Sequence, residues 1–389
     1  MPDQPTIHLL TSGFPFKGRE PYLNDEIEVV QDEYDIILYP SKPRSEPTEF
    51  GIRSLFGRSR LKDYLFAFKV CLSESRFLLR TRKFRYYLSL MAQCSAKSRE
   101  LIENCSPGDV IYAYWSNELA TIAAICAARR SDLICVSRAH GFDVFEDQTR
   151  YGYIPFRCFQ LKHLKGLFSV SQRGVDHLRE KNPRYSDKIF LSYLGTLNPH
   201  EFRVLSDSNP NGLVIATCSN IRAIKRLTLL AEALRECTFP VTWHVIGDGS
   251  ALEDLKKACM ELPSNVHVDF KGRMDQKQII KFYATNRIDA LLSTSYSEGL
   301  PVSMMEALSC GIPVISTDVG GCSEIVTNES GMLIPSNPTA DQVLNALTSF
   351  LHNGWKNASH RKAARSFWER NFNAASNYGS FYKRIPQHA

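Results

Sequence analysis

Two glutamates eight positions apart, Glu298 and Glu306, lie in the stretch Ser297-Glu-Gly-Leu-Pro-Val-Ser-Met-Met-Glu-Ala-Leu-Ser-Cys-Gly-Ile-Pro-Val-Ile-Ser316, just after an apolar strand-like run, Ala290–Leu292. Pro301 suits a first helical position and Gly311 a helix stop, which predicts a helix of about ten residues. Glu298 would stand just ahead of that helix and Glu306 inside it. The amides near Gly299 to Val302 would then offer N–H groups to an anion. Met304, Met305, Ala307 and Leu308 surround Glu306, so its carboxylate should be buried and must find donors or a counter-ion. A ribose diol would supply two donors, and an internal salt bridge to Lys or Arg would serve equally.

Further upstream, Thr217-Cys-Ser-Asn-Ile-Arg-Ala-Ile-Lys-Arg226 follows a strand and opens a helix. Lys225 taken alone reads as a solvated lysine at a helix start. Ile246-Gly-Asp-Gly249 permits a tight bend after a strand. It is not a G-x-G-x-x-G fingerprint, so a nicotinamide cofactor has poor support. His140-Gly-Phe-Asp143 ends the run Leu133–Ser137, where a His-Gly pair serves either as a turn or as a reactive group at a strand end.

Together these stretches resemble retaining GT-B glycosyltransferases of the large family 4, of the bacterial surface-polysaccharide type, with the Glu298-x7-Glu306 cassette carrying most of the likeness. The resemblance implies that Glu298 contacts the hydroxyls of a donor sugar and that Glu306 holds a ribose. It places Gly299, Leu300 and Pro301 beside the sugar and diphosphate, and gives Lys225 the role of neutralising that diphosphate. Asn220 stands where the family usually has an Arg, so one positive charge is lost or moved to Arg222 or Arg226. Phe270-Lys-Gly-Arg-Met274 resembles the loop that faces the nucleotide base, with Arg273 and Met274 at its tip. Asp318-Val-Gly-Gly321, followed by Glu324, resembles the next strand-to-helix turn. By the same likeness His140 lies over the donor sugar with Asp143 as a polar neighbour. Thr11-Ser-Gly-Phe-Pro-Phe-Lys-Gly-Arg-Glu-Pro-Tyr22 resembles the glycine loop, Gly18 being the contact and Glu20 a residue that shapes the acceptor side.

The implied reaction is transfer from a nucleotide-diphosphate sugar to a hydroxyl of a glycan or lipid-linked oligosaccharide. It would retain anomeric configuration, with the departing phosphate accepting the acceptor's proton. The chain has no Asp-x-Asp, the diphosphate-metal signature of the other main glycosyltransferase fold. The expectation is therefore no metal and no cofactor, with helix amides and Lys225 stabilising the leaving group. A sugar-nucleotide epimerase on the same fold and a non-catalytic sugar-nucleotide-binding scaffold are the alternatives.

Residues in such positions need parallel strands that end at one edge. Strand-length apolar runs alternate with helical periods through the chain, the pattern of α/β architecture. The first half offers Ile7–Leu10, Ile36–Tyr39, Val110–Tyr114, Leu133–Ser137, Gly166–Val170 and Ile189–Tyr193. The second offers Leu213–Cys218, Thr242–Ile246, Val266–Phe270, Ile288–Leu292, Pro313–Ser316 and Met332–Ile334. A turn-rich stretch, Asn198 to Asn211, separates the halves. The expected GT-B architecture is two Rossmann-like domains facing a central cleft, residues 1–200 on the acceptor side and 201–365 on the donor side. Helices over 366–389 would return to the first domain, with the aromatics Phe367–Phe372 and Tyr378–Tyr382 pinning the halves.

At 389 residues the chain is long enough for two cores. Eleven cysteines, without a Cys-x-x-Cys pair, suit reduced thiols better than disulfides or zinc. No run is long and apolar enough for a transmembrane helix, and no secretory signal opens the chain, so the cytoplasm is expected. From Arg53 to Glu100 twelve Lys/Arg face three Asp/Glu, a balance of +9; against the whole-chain +6, the remainder carries −3. Within that segment Leu61, Leu65, Phe68 and Leu72 repeat at helical spacing, with Lys62 and Lys69 off the stripe, and the basic run Arg80, Arg82, Lys83 and Arg85 follows. The stripe either faces the core below a solvated charged face or meets an anionic membrane surface. No nucleic-acid recognition module is evident.

Overall fold

The computed structural model describes residues 5–16, 20–42, 51–74, 83–149, 152–199 and 211–385. Gly18, Arg80 and Arg82 lie outside these described residues. The chain divides into two compact units, Met1–Tyr193 with Tyr378–Ala389, and Leu194–Asn377.

Unit one is built on six parallel strands, β1 (Ile7–Thr11), β2 (Ile36–Pro40), β3 (Val110–Ala113), β4 (Ile134–Ala139), β5 (Gly166–Ser169) and β6 (Ile189–Leu191), in the order β2-β1-β3-β4-β5-β6. Strands covered on both faces read as near-continuous apolar runs, and β1 and β3 are buried throughout. The order reverses between β1 and β3, and crevices for ligands open at such reversals, beyond the carboxyl ends of the strands. An alanine-rich helix, Glu118–Arg129, packs on this sheet and is capped by the Asn117 side chain, which accepts from the Leu119 N–H.

On β4 the fully buried Arg138 faces Glu26 at 3.4 Å, and its guanidinium lies 4.2 Å from the ring centre of Phe381. Burial pushes the Glu26 carboxyl above its usual range, against the pull of Arg138. Tyr378 and Tyr382 complete this aromatic and charged cluster from the last helix, Ala374–Arg384.

The stripe Leu61, Leu65, Phe68 and Leu72 does not face the core. These residues are exposed on the helix Leu61–Glu74, whose buried face is Asp63, Ala67, Val70 and Cys71. Small residues let this helix lie close to its neighbour, Phe84–Ile102, and the large side chains are left outward.

Unit two has a second parallel sheet of six strands, β7 (Leu213–Cys218), β8 (Val241–Ile246), β9 (Val266–Gly272), β10 (Ala290–Ser293), β11 (Val314–Thr317) and β12 (Gly331–Ile334), in the order β12-β11-β10-β7-β8-β9. Here the reversal falls between β7 and β10. Two glycines bring loops together at that edge. Gly247 has φ +131°, and a Cβ on it would lie 1.9 Å from the Ser219 carbonyl oxygen; Gly320 has φ +54°, and its Cβ would lie 1.8 Å from the Glu298 carbonyl oxygen. The helix after β10 spans Val302–Ser309, eight residues, with Pro301 as the residue before it and not its first turn. The extended ψ of Pro301, 111°, keeps it outside the helix.

All eleven cysteines are free. No helix of the described residues is long and apolar enough to cross a membrane.

Candidate functional site

In unit two the loops after β7 and β10 meet across the reversal point. Lys225 Nζ lies 2.6 Å from Glu298 Oε1, and both side chains are partly exposed, at 23% and 12%. Backbone contacts fix this meeting. Tyr296 N–H donates to the Ile224 carbonyl, and the Thr294 hydroxyl serves the Lys225 and Arg226 carbonyls.

Arg226 adopts the left-handed region at φ +49°, and its guanidinium donates to the carbonyls of Thr294, Ser295 and Ser336 and to Asn337 Oδ1. Its donors are therefore spent on clamping the β10 loop. Arg222 is exposed, and so is Asn220. Of the two arginines that could carry the displaced charge, Arg222 has the solvent-facing side chain.

Glu306 is only 6% exposed and sits among the buried residues of the helix Val302–Ser309. Burial, assisted by the nearby Glu306 charge, pushes the Cys218 thiol up to about 12. Burial, assisted by Cys218 and then Glu306, raises the Tyr283 phenol. The Glu306 charge is thus felt at Cys218, the last residue of β7. Lys225, Glu298, Ser219 and Ser303 line one small pocket there, and Glu306 is not among its lining residues. The Gly321 N–H donates to the Gly299 carbonyl at 2.7 Å, so the turn after β11 braces the loop that holds Glu298. Leu300 is buried beside it. Arg273 and Met274 follow β9, two strands from β7, and do not line the pocket. The Gly272 carbonyl, next to them, accepts from the Gly247 N–H.

Unit one gathers a different set at its own reversal point. Glu20, at φ +43° and 9% exposed, accepts from the backbone N–H groups of Ser12 at 3.2 Å, Gly13 at 2.6 Å and Phe14 at 2.8 Å, and from the Trp115 indole N–H. Its carboxylate is consumed in ordering the β1 loop and tying it to the β3 loop. Asp143, expected at the acceptor or surface side, is 2% exposed; it accepts from the backbone N–H groups of His140 at 2.5 Å and Ser116 at 2.7 Å. Its carbonyl in turn accepts from Arg157. Both carboxylates act on the protein's own N–H groups.

The His140 ring lies 4.3 Å from Trp115 and 4.8 Å from Tyr114, centre to centre. Both its ring nitrogens are buried and neither has a hydrogen-bond partner. Asp143 Oδ2 is 3.9 Å from Nδ1, too far for a hydrogen bond. Buried imidazole nitrogens without partners are costly, and a ligand hydroxyl would satisfy one. Lys83 is half-buried and Arg85 exposed, at the start of the helix Phe84–Ile102.

Trp115 escaped the sequence reading, although a Tyr-Trp-Ser run directly after a buried strand is a place where ligands are met. One trio of possible metal donors occurs among the described residues, His8, Cys105 and Asp109. His8 Nδ1 pairs with the Tyr39 hydroxyl and Nε2 with Asp109, which also accepts from the Thr6 and Ser106 N–H groups, so the trio is closed by internal hydrogen bonds.

Residues 198–367 match the model of the family described as glycosyl transferases group 1. The chain is 31% identical over 259 residues to an O-antigen biosynthesis glycosyltransferase of Escherichia coli, WbnH, covering 60% of this chain and 70% of the relative. It is 34% identical over 103 residues to the lipopolysaccharide 1,6-galactosyltransferase of E. coli K12, covering 26% of this chain and 29% of that one. Among solved structures, Anabaena HepE in complex with UDP and glucose superimposes with a TM-score of 0.68 at 18% identity, covering 98% and 99% of the two chains. The apo form of the lipopolysaccharide outer core galactosyltransferase WaaB gives 0.69 at 17% identity, covering 97% and 99%. At these identities the structural likeness establishes the two-sheet GT-B fold. With the family model over unit two and a relative matched along most of its length, the chain belongs to the group 1 glycosyltransferases.

Proposed function

We propose that this glycosyltransferase moves a sugar from a nucleotide-diphosphate donor to a hydroxyl of a glycan or lipid-linked oligosaccharide during surface-polysaccharide assembly. The observation that carries the reading is the Lys225–Glu298 pair at the β7/β10 reversal, with Glu306 buried in the helix that follows Glu298. The donor's diphosphate competes with Glu298 for Lys225. Its arrival frees the carboxylate to accept from the sugar's hydroxyls, so one contact serves as a latch before binding and as two ligand contacts after it.

Glu306 accepts from the ribose hydroxyls, and the amides of Gly299 to Val302 face the diphosphate. Arg222 supplies the second cation that Asn220 cannot. The bond from the anomeric carbon to the phosphate oxygen breaks through an oxocarbenium-like state. The acceptor oxygen attacks from the same face and passes its proton to the departing phosphate, giving retention. Lys225 and the loop amides carry the leaving-group charge without a metal. His140 donates to or accepts from a sugar hydroxyl.

The test is release of nucleoside diphosphate from a panel of donors, beginning with UDP-glucose and UDP-galactose because the HepE structure holds UDP and glucose and WaaB is a galactosyltransferase. Donor-specific turnover that Glu306→Ala abolishes supports the reading. An ordered protein that turns over no donor in the presence of acceptors refutes it and favours a scaffold role. Proton NMR of the product's anomeric coupling decides retention.

A peripheral position on an anionic membrane belongs to the same proposal. Leu61 is 77% exposed and Leu65 58%; Arg58, Arg60, Lys62 and Lys69 are exposed around them. The helix's two acids turn inward, Asp63 to Arg99 at 2.6 Å and Glu74 to the Phe159 N–H. Apolar side chains ringed by cations fit a bilayer carrying acidic lipid. Co-sedimentation with anionic vesicles, weakened by Leu65→Glu and absent with neutral ones, is the expected result; equal binding to both refutes the electrostatic part.

A further inference from the structure

We propose that Trp115 and Phe142 form a stacking platform for a hexopyranose ring of the acceptor, next to His140; the assignment of the ring to the acceptor rests on the donor reading above. Phe142 is 48% exposed, an apolar ring held at the surface just past the end of β4. What it packs on is Trp115, 5.0 Å away at an interplanar angle of 42°. Trp115 is itself half-buried, past the end of β3.

The indole is not free to turn. Its N–H is held by Glu20, whose carboxylate also takes three backbone N–H groups, and Tyr22 packs edge-on against it at 6.2 Å. A residue other than glycine is kept at φ +43° to place that carboxylate. Side chains locked by such a shell are preorganised to bind, since little rotamer freedom remains to be lost.

The third member is polar. The His140 ring lies against Trp115, with both nitrogens buried and without partners. An exposed aromatic surface beside unsatisfied buried polar atoms is the composition of a site for a molecule with an apolar face and a hydroxyl edge. A pyranose chair is such a molecule: axial C–H bonds on its face meet the rings, and a hydroxyl reaches the imidazole. The Phe142 and Trp115 rings are inclined at 42° to one another. A puckered sugar suits two rings inclined in this way, whereas a flat nucleobase stacks on one only. The ring pair lies beyond the carboxyl ends of β3 and β4, next to the chain reversal, where parallel sheets bind ligands.

The experiment is saturation-transfer difference NMR on the full chain with methyl galactopyranoside, methyl glucopyranoside and methyl N-acetylglucosaminide as probes. The wild type should saturate the protons of one ring face of at least one probe. Phe142→Ala should cut the transfer by about tenfold, the scale of a lost aromatic contact. Phe142→Leu, which keeps bulk without a ring face, should do the same, and Phe142→Trp should restore it; thermal melting confirms that each variant folds. Calorimetric binding of UDP is the separate readout. UDP binding with no transfer to any saccharide overturns the platform and leaves the donor reading standing. Transfer that depends on Phe142, with no UDP binding or donor turnover, supports the platform and refutes the transferase reading. Transfer unchanged in Phe142→Ala overturns the platform outright.

Discussion

Each unit brings a carboxylate to the point where its sheet reverses, and the two carboxylates are used in opposite ways. In unit two Glu298 meets a single cation, Lys225, across β7 and β10. In unit one Glu20 is saturated by four N–H groups across β1 and β3. A lone ion pair can be exchanged for ligand contacts at small net cost. A carboxylate with four donors cannot let go without leaving buried N–H groups unpaired. Similar sheet edges therefore yield a replaceable contact in one unit and a fixed brace in the other.

The sharpest test is to remove one member of each pair. Lys225→Met should lower kcat/KM by about 10²–10³, the scale of losing one electrostatic contact to a developing charge. Its stability should change by less than ~1 kcal/mol, since partly exposed ion pairs contribute little. Glu20→Gln should do the reverse. An amide presents one acceptor oxygen where the carboxylate presents two, so unfolding in urea should show a loss of about 1–3 kcal/mol. If Lys225→Met is as destabilising as Glu20→Gln, the contrast between a replaceable and a fixed contact fails.

This contrast was only half legible in the sequence. Glu298, Glu306 and the loop between them fall within one short stretch, where the order of turn, helix and apolar residues already describes the local chemistry. Lys225 follows a strand at the expected place. The use of Glu20 was hidden because its decisive partner, Trp115, is 95 positions away. The helix Leu61–Glu74 shows another limit. Its periodicity marked an amphipathic face but not which face packs, and the small residues Ala67, Val70 and Cys71 took the core. Likewise Arg222 and Arg226 were equivalent candidates until the left-handed turn at Arg226 directed its guanidinium onto four protein oxygens.

Unit one also holds an acid whose burial outweighs the charges around it. Glu74 is half-buried, and burial pushes its carboxyl up to about 7, against the Phe159 N–H and Arg157. The folded state then keeps a proton that the unfolded chain releases above 4.5, the ordinary value for a glutamate. Fewer protons are bound in the unfolded state between these values, so stability should fall as pH rises from about 4.5 to about 7 and level off above. The expected size is about 1–3 kcal/mol, from the shift between the two states. Glu74→Gln should flatten this slope and raise the melting temperature at pH 8. An unchanged slope would place the pH dependence elsewhere and remove one contrast between the units.

The smallest effect concerns how far unit two's pair acts alone. Arg222 is exposed, while Arg226 is bound to the β10 loop. If Arg222 shares the diphosphate with Lys225, Arg222→Ala should raise the donor KM by about tenfold, the scale of one partly exposed charge-assisted contact. Its stability should stay within about 0.5 kcal/mol, as for most surface substitutions. Arg226→Ala should lower the melting temperature first, because it frees the carbonyls of Thr294 and Ser295 beside the loop of Glu298. The two arginines then separate on one plot of donor KM against melting temperature. A donor KM unmoved by Arg222→Ala would leave Lys225 as the sole side-chain cation on the diphosphate, and the unit-two site would be simpler than its loop suggests.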